Sequence, residues 1–401
     1  MVTENNVLNL ICEPIPTVRI GIVGLGNRGM RAARRYAFIR GARIAALADS
    51  HMENVDAAAE ELKRKGFSPA RKYYGKEGWK NMCADGDIDL IYICTPWNTH
   101  ADIACHAMQC GIHAAVEVPA AVTAEECRKL VATAEETRRH CFMLENCCYD
   151  PFALATMRMA DEGKLGIITH AEGAYIHHVM DFENGESKPT YQLSAWNINA
   201  FANHGGNPYP THGLGPICLT LGIHRGDRMK QIVSLSSYAP SGTSAKINTS
   251  IITTERDRTI LLVHDVGTPR PYSRFMTTCG TKGFTQKYPR PCIMFDGDTE
   301  EEAYAKTEER ENMFEHEVTK RWGHEARAKN IDNEMNYVMD SRLIYCLNKG
   351  LPLDMDVYDA AEWSVISELS EISARSGGMP VDIPDFTKGM WKNNAPHKFY
   401  F

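Results

Sequence analysis

The sequence lacks any hydrophobic run long enough to cross a membrane. Although 43% of its 401 residues are hydrophobic, apolar stretches such as Ile88–Thr95 fall well short of the roughly 18 residues that a span requires. The N-terminal stretch before the first expected strand also lacks the positively charged start and the long apolar core of a signal peptide. We therefore expect a soluble globular chain of about two domains, without a membrane span.

An excess of positive charge is missing as well. The 44 Lys and Arg residues against 51 Asp and Glu residues leave a formal net charge of −7, and basic clusters are as short as Arg31–Arg35. Because proteins that bind nucleic acid usually carry a basic patch or stripe, we expect no nucleic-acid partner.

Paired redox and metal-binding motifs are also missing. The thirteen cysteines include no C-x-x-C pair, and the adjacent Cys147 and Cys148 do not favour a disulfide. The histidines of the second half include no H-x-x-x-H pair on a convincing helix, so no metal site is predicted. Reduced thiols indicate a cytoplasmic protein; the alternative is an exported protein whose leader has been removed.

The first 150 residues alternate short β-branched runs with amphipathic stretches, which predicts βαβ units. We expect an α/β fold here, a Rossmann domain with a doubly wound parallel sheet over residues 1–150. The expected strands are Val18–Val23, Arg43–Ala48, Leu90–Thr95, His113–Val118 and Cys141–Glu145. The expected helices are Arg28–Phe38, Val55–Lys65, His100–Gln109 and Ala124–Arg139, with Asn98 and Thr123 as N-caps.

Residues 151–401 predict an α+β substrate-binding domain with an open, mainly antiparallel sheet. The expected elements are a helix at Ala153–Glu162 and strands at Ile167–Ile176, Gln231–Tyr238, Ile247–Thr254, Thr259–Asp265, Arg274–Thr278 and Phe284–Lys287. The irregular stretch Asp181–Leu214 is expected to be functional and Asp298–Lys329 to form a solvated helical face. Helices near Asn333–Leu347 and Tyr358–Ala374 can pack back on the first domain. An open sheet leaves an apolar face to cover, so we expect a homo-oligomer.

A glycine-rich loop directly after the first strand predicts a dinucleotide site. Gly24, Gly26 and Gly29 match G-x-G-x-x-G, in which the glycines allow a tight turn, close approach of the pyrophosphate and close helix packing. Asp49 ends the second strand, where a carboxylate accepts hydrogen bonds from the ribose hydroxyls and repels a 2′-phosphate. We therefore expect NAD rather than NADP. The less favoured reading of Asp49 is a helix N-cap.

The ends of the next strands carry a family resemblance. Cys94–His100 reads C-T-P-W-N-T-H and Glu117–Pro119 reads E-V-P. These segments resemble the TPxxxH and EKP segments of the glucose-fructose oxidoreductase and inositol dehydrogenase superfamily. In most of that superfamily the EKP lysine reaches nicotinamide and substrate, but this sequence has Val118 there.

Further segments resemble glycoside hydrolase family 109 from about Val18 to the C-terminus. The most specific is Y-P-T-H-G-L-G-P at Tyr209–Pro216, and it is joined by Leu144–Asp150, Glu172–His177 and Leu351–Ser364. The resemblance implies a glycosidase that acts on terminal α-N-acetylgalactosaminides or a related glycoside. It also implies a redox-neutral cycle in which NAD oxidises sugar C3, a base removes the C2 proton, the aglycone leaves from C1, water adds and the hydride returns.

The resemblance also assigns residues to roles. His212 would handle the proton of the C3 hydroxyl, and Tyr175 would be the C2 base. The implied cofactor-binding residues are Gly24, Gly26, Asn27, Arg28, Gly29, Asp49, Trp97, Asn98, Thr99, His100, Glu117, Val118, Asn146 and Tyr209. The implied substrate-binding residues are Tyr175, Asn197, Tyr209, Pro210, Thr211, His212 and Tyr288.

Several positions depart from the family pattern. Asn197 stands where the family has a sugar-binding arginine, and His178 replaces an acid. Two other functions therefore stay open: an NAD-dependent sugar or polyol dehydrogenase, against which the missing lysine at Val118 weighs, and a binding protein that keeps NAD without turnover.

Overall fold

The computed structural model describes residues 6–181, 186–188, 191, 193–238 and 245–401. The chain divides into two compact units. The first unit comprises Met1–Leu144, Trp322–Ala361 and Lys398–Phe401, and the second comprises Glu145–Arg321 and Glu362–His397. The first boundary thus lies six residues before the one that the sequence predicts at residue 150. The segment Trp322–Ala361 of the first unit contains the helix Glu334–Lys349, one of the two C-terminal helices that the sequence allows to pack back on the first domain.

Sixteen strands lie in the described residues. In chain order they are β1 (Val18–Val23), β2 (Ala42–Asp49), β3 (Arg71–Tyr74), β4 (Leu90–Ile93), β5 (His113–Val116), β6 (Cys141–Met143), β7 (Ile168–Ile176), β8 (Met180–Asp181), β9 (Glu186–Ser187), β10 (Met229–Tyr238), β11 (Ala245–Thr254), β12 (Thr259–Asp265), β13 (Ser273–Gly280), β14 (Gly283–Gln286), β15 (Cys292–Phe295) and β16 (Val381–Asp382).

Thirteen α-helices accompany them in the described chain. They are α1 (Asn27–Tyr36), α2 (Met52–Arg64), α3 (Gly78–Ala84), α4 (His100–Gln109), α5 (Ala124–Thr137), α6 (Pro151–Asp161), α7 (Ala195–Asn203), α8 (Thr211–Leu221), α9 (Glu300–Ala305), α10 (Thr307–Met313), α11 (His324–Ala328), α12 (Glu334–Lys349) and α13 (Val357–Arg375). No helix in the part of the chain that the structure describes is both long and apolar enough to cross a membrane.

The first unit contains a six-stranded sheet in the order β3-β2-β1-β4-β5-β6, and every pairing in it is parallel. Strands β4 and β5 are buried along their whole length, which is why their sequences are nearly continuous apolar runs. The chain leaves β1 toward β2 on one side and later returns to β4 on the other. Ligands of such sheets bind where the order reverses, at the carboxyl ends of these strands. The predicted Rossmann fold is confirmed, and the five predicted strands end within two residues of the observed ones.

Two predicted helix caps have different outcomes. Thr123 caps α5 as expected, because its side chain accepts a hydrogen bond from the Glu126 backbone while the Glu126 carboxylate accepts one from the Thr123 backbone. The prediction of Asn98 as the cap of α4 is wrong. Asn98 lies inside a 3-10 turn, and the helix begins one residue after Thr99, whose hydroxyl donates to the Pro96 carbonyl at 2.7 Å.

The second unit contains an eight-stranded sheet in the order β15-β14-β13-β7-β12-β11-β10-β16. All of its pairings are antiparallel except that of β7 with β12, so the predicted mainly antiparallel sheet is confirmed. Helix α8 packs against β7 at two glycines. A Cβ added at Gly173 would lie 2.3 Å from the Gly213 carbonyl oxygen, so neither position has room for a side chain.

The prediction of an irregular stretch at Asp181–Leu214 is wrong in part. Its described residues include all of α7 and the start of α8, and Met180–Asp181 pairs with Glu186–Ser187. Helix α7 buries only Phe201, so it has no apolar stripe to reveal it. Helix α8 contains Gly213, Gly215 and Pro216, which disfavour a helix in isolation, and tertiary packing overrides that preference. Residues 182–185, 189–190 and 192 of this stretch lie outside the described chain.

Candidate active site

The loop between β1 and α1 has the shape that a pyrophosphate needs. Gly24 has a φ of +85°, and a Cβ there would lie 2.7 Å from the Cys94 backbone. A Cβ on Gly29 would lie 2.0 Å from the Gly24 carbonyl oxygen. A Cβ on Gly26, by contrast, would meet no atom within 4 Å. Two glycines are therefore required by the packing, and the third leaves the start of α1 open to an anion.

Asp49 lies beside this loop at the end of β2. Its Oδ2 accepts a hydrogen bond from the Leu25 backbone at 2.6 Å, and its Oδ1 accepts from the His51 backbone at 2.9 Å and from Asn54 at 3.2 Å. The N-cap of α2 is His51, so Asp49 is not itself the cap. Because a carboxylate has about four acceptor positions, at least one stays available for a ribose hydroxyl. The loop and the carboxylate together fit a dinucleotide with a free 2′-hydroxyl.

Three of the other predicted cofactor residues, Arg28, Glu117 and His100, link elements of the first unit by hydrogen bonds. Arg28 Nε donates to Glu117 Oε1 at 2.6 Å, so this pair joins the start of α1 to the end of β5. The buried His100 ring lies 2.8 Å from both the Thr95 and the Pro119 carbonyl oxygens, and so ties the two motif segments together. Val118 and Trp97 are buried, whereas Asn98 is exposed. Asn146 lies in the second unit, where its Oδ1 accepts from Cys147 Sγ at 3.6 Å.

Three of the predicted substrate residues meet in the second unit. The rings of Tyr175 and Tyr209 have centroids 4.8 Å apart, and the His212 ring lies 5.6 Å from Tyr175 and 4.8 Å from Tyr209. The Tyr209 hydroxyl is 3.3 Å from His212 Nε2. Tyr175 reaches this group because it lies two residues after Gly173, and His212 because it precedes Gly213. The close approach of α8 to β7 therefore assembles the cluster.

Glu145 contacts the second nitrogen of the His212 ring, Nδ1. Its Oε1 lies 2.7 Å from His212 Nδ1 and also accepts from the Cys147 backbone at 3.1 Å. The carboxylate is fully buried. The segment Leu144–Asp150 carries part of the family resemblance, but its sequence does not reveal this role, because 67 residues separate the two partners. The only local signal is an acid placed just after a buried strand.

Burial and charge set the protonation of this cluster. Burial disfavours the imidazolium of His212, but Cys147 and the Glu145 carboxylate outweigh that effect and raise its pKa to about 10. Burial likewise raises the pKa of Glu145, and the adjacent His212 outweighs it, so the pKa lies below its usual value. The pair is therefore held as a carboxylate and an imidazolium near neutral pH.

The environment of Tyr175 favours its neutral form, whereas that of His212 favours the charged form. Burial, followed by the neighbouring Tyr191 and Tyr272, raises the pKa of Tyr175 well above its usual value. Its hydroxyl lies 3.1 Å from His177 Nδ1. Burial and the nearby His212 lower the pKa of His177, so this imidazole is neutral at pH 7 and can accept a hydrogen bond from the Tyr175 hydroxyl.

The remaining predicted substrate residues are Pro210, Thr211, Tyr288 and Asn197. Pro210 is the N-cap of α8, and Thr211 is fully buried at its first position. Tyr288 lies 5.9 Å from Tyr272 between ring centroids, and Tyr272 lies 6.5 Å from Tyr175. Asn197 lies in the first turn of α7, where its Oδ1 accepts from the Ser194 hydroxyl at 2.6 Å.

A buried ion cluster beside Tyr288 was missed by the sequence analysis. Asp150 accepts from Arg274 Nη2 at 2.6 Å and also contacts Lys287 Nζ, and Arg274 Nη2 lies 3.4 Å from the Tyr288 hydroxyl. Burial raises the pKa of Asp150, but Lys287 and Arg274 outweigh it and hold the pKa below its usual value. This cluster holds the Arg274 guanidinium beside the Tyr288 hydroxyl.

Comparisons with known proteins match a family to each part of the chain. The family described as oxidoreductase family, NAD-binding Rossmann fold matches residues 18–145, and the glycosyl hydrolase 109, C-terminal domain matches residues 149–245 and 241–393. Among solved structures, the WlbA dehydrogenase from Bordetella pertussis in complex with NADH and UDP-GlcNAcA superposes with a TM-score of 0.70 at 16% identity, over 93% of this chain and 100% of that one. A levoglucosan dehydrogenase in complex with NADH and levoglucosan superposes with a TM-score of 0.69 at 18% identity, over 92% of this chain and 100% of that one. At this identity the likeness concerns the fold.

Relatives found by sequence comparison are more similar in sequence to this chain than these solved structures are. A glycosyl hydrolase family 109 protein 2 of Phocaeicola vulgatus is 53% identical, over 96% of this chain and 98% of its own length. An alpha-N-acetylgalactosaminidase of Bacteroides fragilis is 50% identical, over 97% of this chain and 96% of its own. With an NAD-binding Rossmann domain and a matched C-terminal domain, the chain is a glycosidase that belongs to glycoside hydrolase family 109.

Proposed function

We propose that the chain hydrolyses α-N-acetylgalactosaminides or a closely related glycoside, with NAD as a cofactor that is regenerated in each turnover. The observation that carries this proposal is the place of His212, between Glu145 and Tyr209 and beside the Tyr175 ring. These groups are proton donors and acceptors, and they differ from the pair of carboxylates that most glycosidases use. The name of the Bacteroides fragilis relative supplies the substrate class.

NAD would be held in the first unit by the loop Gly24–Gly29, with Asp49 on its ribose. The chemistry that NAD supplies when bound is reversible hydride transfer at sugar C3, and a ketone there makes the C2 proton acidic. Arg28 and Glu117 neutralise one another beside the loop, so this pair adds no net negative charge near the pyrophosphate.

His212 would take the proton of the C3 hydroxyl and return it when the hydroxyl is restored. In the neutral ring, Glu145 accepts a hydrogen bond from Nδ1–H and so leaves Nε2 as the acceptor. Nε2 faces the Tyr209 hydroxyl, a position that a sugar hydroxyl could share. Glu145 is therefore a positioning residue, which fixes the tautomer and stabilises the imidazolium formed by proton uptake.

Tyr175 would remove the C2 proton. Its own phenolic proton must first pass to solvent, and the imidazolium of His212, whose ring centroid lies 5.6 Å from that of Tyr175, would stabilise the phenolate. His177 Nδ1, at 3.1 Å, would orient the phenol by accepting its hydrogen bond. The C2–H electron pair then forms a C1–C2 double bond as the aglycone leaves from C1 with the bonding pair. Water adds at C1, and C2 regains a proton. His177 is a positioning residue in this scheme because it acts through Tyr175.

The binding of the sugar would rest on Tyr209, Thr211 and Tyr288, with Asn197 in the position of the family's arginine. An amide cannot supply the charge of a guanidinium, so contact with the substrate is weaker at this position. The sugar specificity of this chain is therefore expected to be broader than that of relatives that keep the arginine.

The test is a panel of p-nitrophenyl α- and β-glycosides, with and without the N-acetyl group, in which aglycone release and NADH absorbance are followed together. We expect release from the α-N-acetylgalactosaminide without accumulation of NADH, and loss of release in His212→Ala. NADH that accumulates in proportion to oxidised sugar would instead identify a dehydrogenase. Protein that shows NAD-dependent thermal stabilisation but turns over nothing in the panel would identify a binding protein.

A further inference from the structure

Three metal-ligating side chains converge beside the active-site histidine. One ligand atom each from Glu145, Cys147 and His212 lies within 4.8 Å of the other two. Cys147 is 2% exposed, and Glu145 is fully buried. A tetrahedral zinc ion with bonds of about 2.0–2.3 Å separates its ligand atoms by roughly 3.3–3.8 Å, so small side-chain rotations would bring the three atoms to that spacing.

One oxygen of the Glu145 carboxylate is still available as a metal ligand or hydrogen-bond acceptor. Glu145 Oε1 accepts from His212 and from the Cys147 backbone, whereas the buried Oε2 meets no hydrogen-bond partner among the described residues. The Thr211 hydroxyl lies close enough to the Glu145 carboxylate to lower its pKa, but no hydrogen bond of good geometry joins the two groups. A buried carboxylate oxygen without a partner is costly and is satisfied by a cation.

We propose that Glu145, Cys147 and His212 form a binding site for a thiophilic divalent cation such as Zn²⁺, which switches the enzyme off. Thiolate, imidazole and carboxylate are the ligand types of zinc, and three protein ligands leave a fourth position for water. The sequence spacing did not reveal the site, because Glu145 and Cys147 are two residues apart and His212 comes from another element.

Metal binding and proton transfer exclude one another at this site. A bond from Cys147 Sγ to the cation replaces the thiol proton, which passes to solvent, and His212 releases its proton when a ring nitrogen coordinates. The coordinated ring can no longer serve the C3 hydroxyl. This inhibition rests on the proposed function, whereas metal binding itself does not.

The direct test is the spectrum of the untagged protein with Co²⁺. Just after helix α4, Cys110 Sγ lies 3.7 Å from His106 Nε2 at the surface, so the experiment uses the Cys110→Ser background. We expect a thiolate-to-cobalt charge-transfer band and tetrahedral ligand-field bands that saturate at one equivalent. Cys147→Ser should abolish the charge-transfer band. The matched variant Cys148→Ser, which changes the adjacent buried cysteine, should keep it.

A second measurement needs no active-site variant. X-ray absorption of the zinc-loaded Cys110→Ser protein should show one sulfur ligand at about 2.3 Å and nitrogen or oxygen ligands at about 2.0–2.2 Å. A shell without sulfur, or a cobalt band that survives Cys147→Ser, would overturn the site. If the metal binds but aglycone release continues at saturating Zn²⁺, the switch is wrong and the site stands. Chelation by EDTA should restore release.

Discussion

At the scale of single residues, Glu145 controls the proton on His212. Cys147 and the buried Glu145 carboxylate both contact the ring and raise its pKa, and together they outweigh burial. With a pKa of about 10, His212 is protonated at neutral pH in the substrate-free protein, and the neutral base form grows as the pH rises. The rate of a step that needs the neutral ring should therefore rise with pH below that value.

The variant Glu145→Gln tests the effect of the charge on this side chain while its size is kept. In Glu145→Gln the amide keeps the size of the side chain but loses the charge, so the pKa of His212 should fall. We expect the rising limb of log kcat/KM against pH to move to lower pH. The plateau should fall by about 10- to 100-fold, because the charged hydrogen bond that fixes the ring is lost.

The pH profile of kcat/KM, measured on the p-nitrophenyl substrate, checks this expectation. The matched control is Glu172→Gln on β7, because the Glu172 carboxylate lies 3.7 Å from a different histidine, His170. The rising limb of the pH profile of this variant should not move. An unmoved limb in Glu145→Gln would show that Glu145 does not set the protonation of His212.

Tyr175 allows a second test at this scale. Tyr175→Phe keeps the ring in the cluster but removes the hydroxyl that would carry the C2 proton. Acid–base groups contribute about 10²- to 10⁴-fold, so aglycone release and exchange of the C2 proton with deuterated water should both fall by at least about 100-fold. KM should change little. Exchange measured by NMR at the wild-type rate would mean that another group is the base.

The two halves of the site differ in how far the sequence predicts them. Gly24, Gly29 and Asp49 belong to one βαβ unit, so their spacing along the chain fixes their positions in space. Tyr175 and His212 come from elements that only tertiary packing joins, and the family resemblance, not the residue pattern, pointed to them. Glu145 lies in the segment Leu144–Asp150, but neither the residue pattern nor the resemblance assigned it a role. Partners that are distant in sequence leave no periodicity behind them.

At the scale of elements, strands were easier to predict than the helices of the second unit. The eleven predicted strands end within two residues of the observed ones, because burial on one or both faces leaves a clear apolar pattern. Helices α7 and α8 lack such a pattern. In α8, Gly213 and Gly215 serve packing against neighbours, so the residues that weaken the helix in isolation are those that fit it to the sheet.

The nucleotide loop gives a prediction at this scale. Gly26→Ala adds a methyl group that meets no protein atom within 4 Å, so the nucleotide-free protein should melt at the wild-type temperature. The methyl group occupies the approach of the pyrophosphate, and NAD affinity should fall at least tenfold, or about 1.4 kcal/mol. The NAD-dependent rise in melting temperature, measured by calorimetry on stripped protein, should shrink accordingly.

Gly24→Ala is the contrasting variant. Its Cβ would collide with the Cys94 backbone at a φ of +85°, so it should lower the melting temperature even without NAD. Equal NAD-dependent shifts in Gly26→Ala and the wild type would place the pyrophosphate elsewhere.

At the scale of the whole molecule, the open sheet of the second unit carries apolar side chains among polar ones on its outer face. Leu235 on β10 is 59% exposed and Ile251 on β11 is 41% exposed, and both belong to the same face of paired strands. Val233, opposite Ile251, and Leu261 on β12 are partly buried on that face. Exposed apolar side chains grouped in this way are typical of an interface, and we propose a second copy of the chain as its partner.

A pair of charges on this face should prevent the assembly. In Leu235→Lys/Ile251→Lys, two ammonium groups replace side chains that would be buried between copies, and their desolvation opposes association. Both positions are exposed within one chain, so its fold should be unaffected. Light scattering should show a multiple of 44.9 kDa for the wild type and a single chain for the double variant. Met52→Lys, which charges an exposed side chain of the first unit, should keep the wild-type mass. A wild-type mass of one chain, or an assembly that survives both lysines, would show that this face does not join copies.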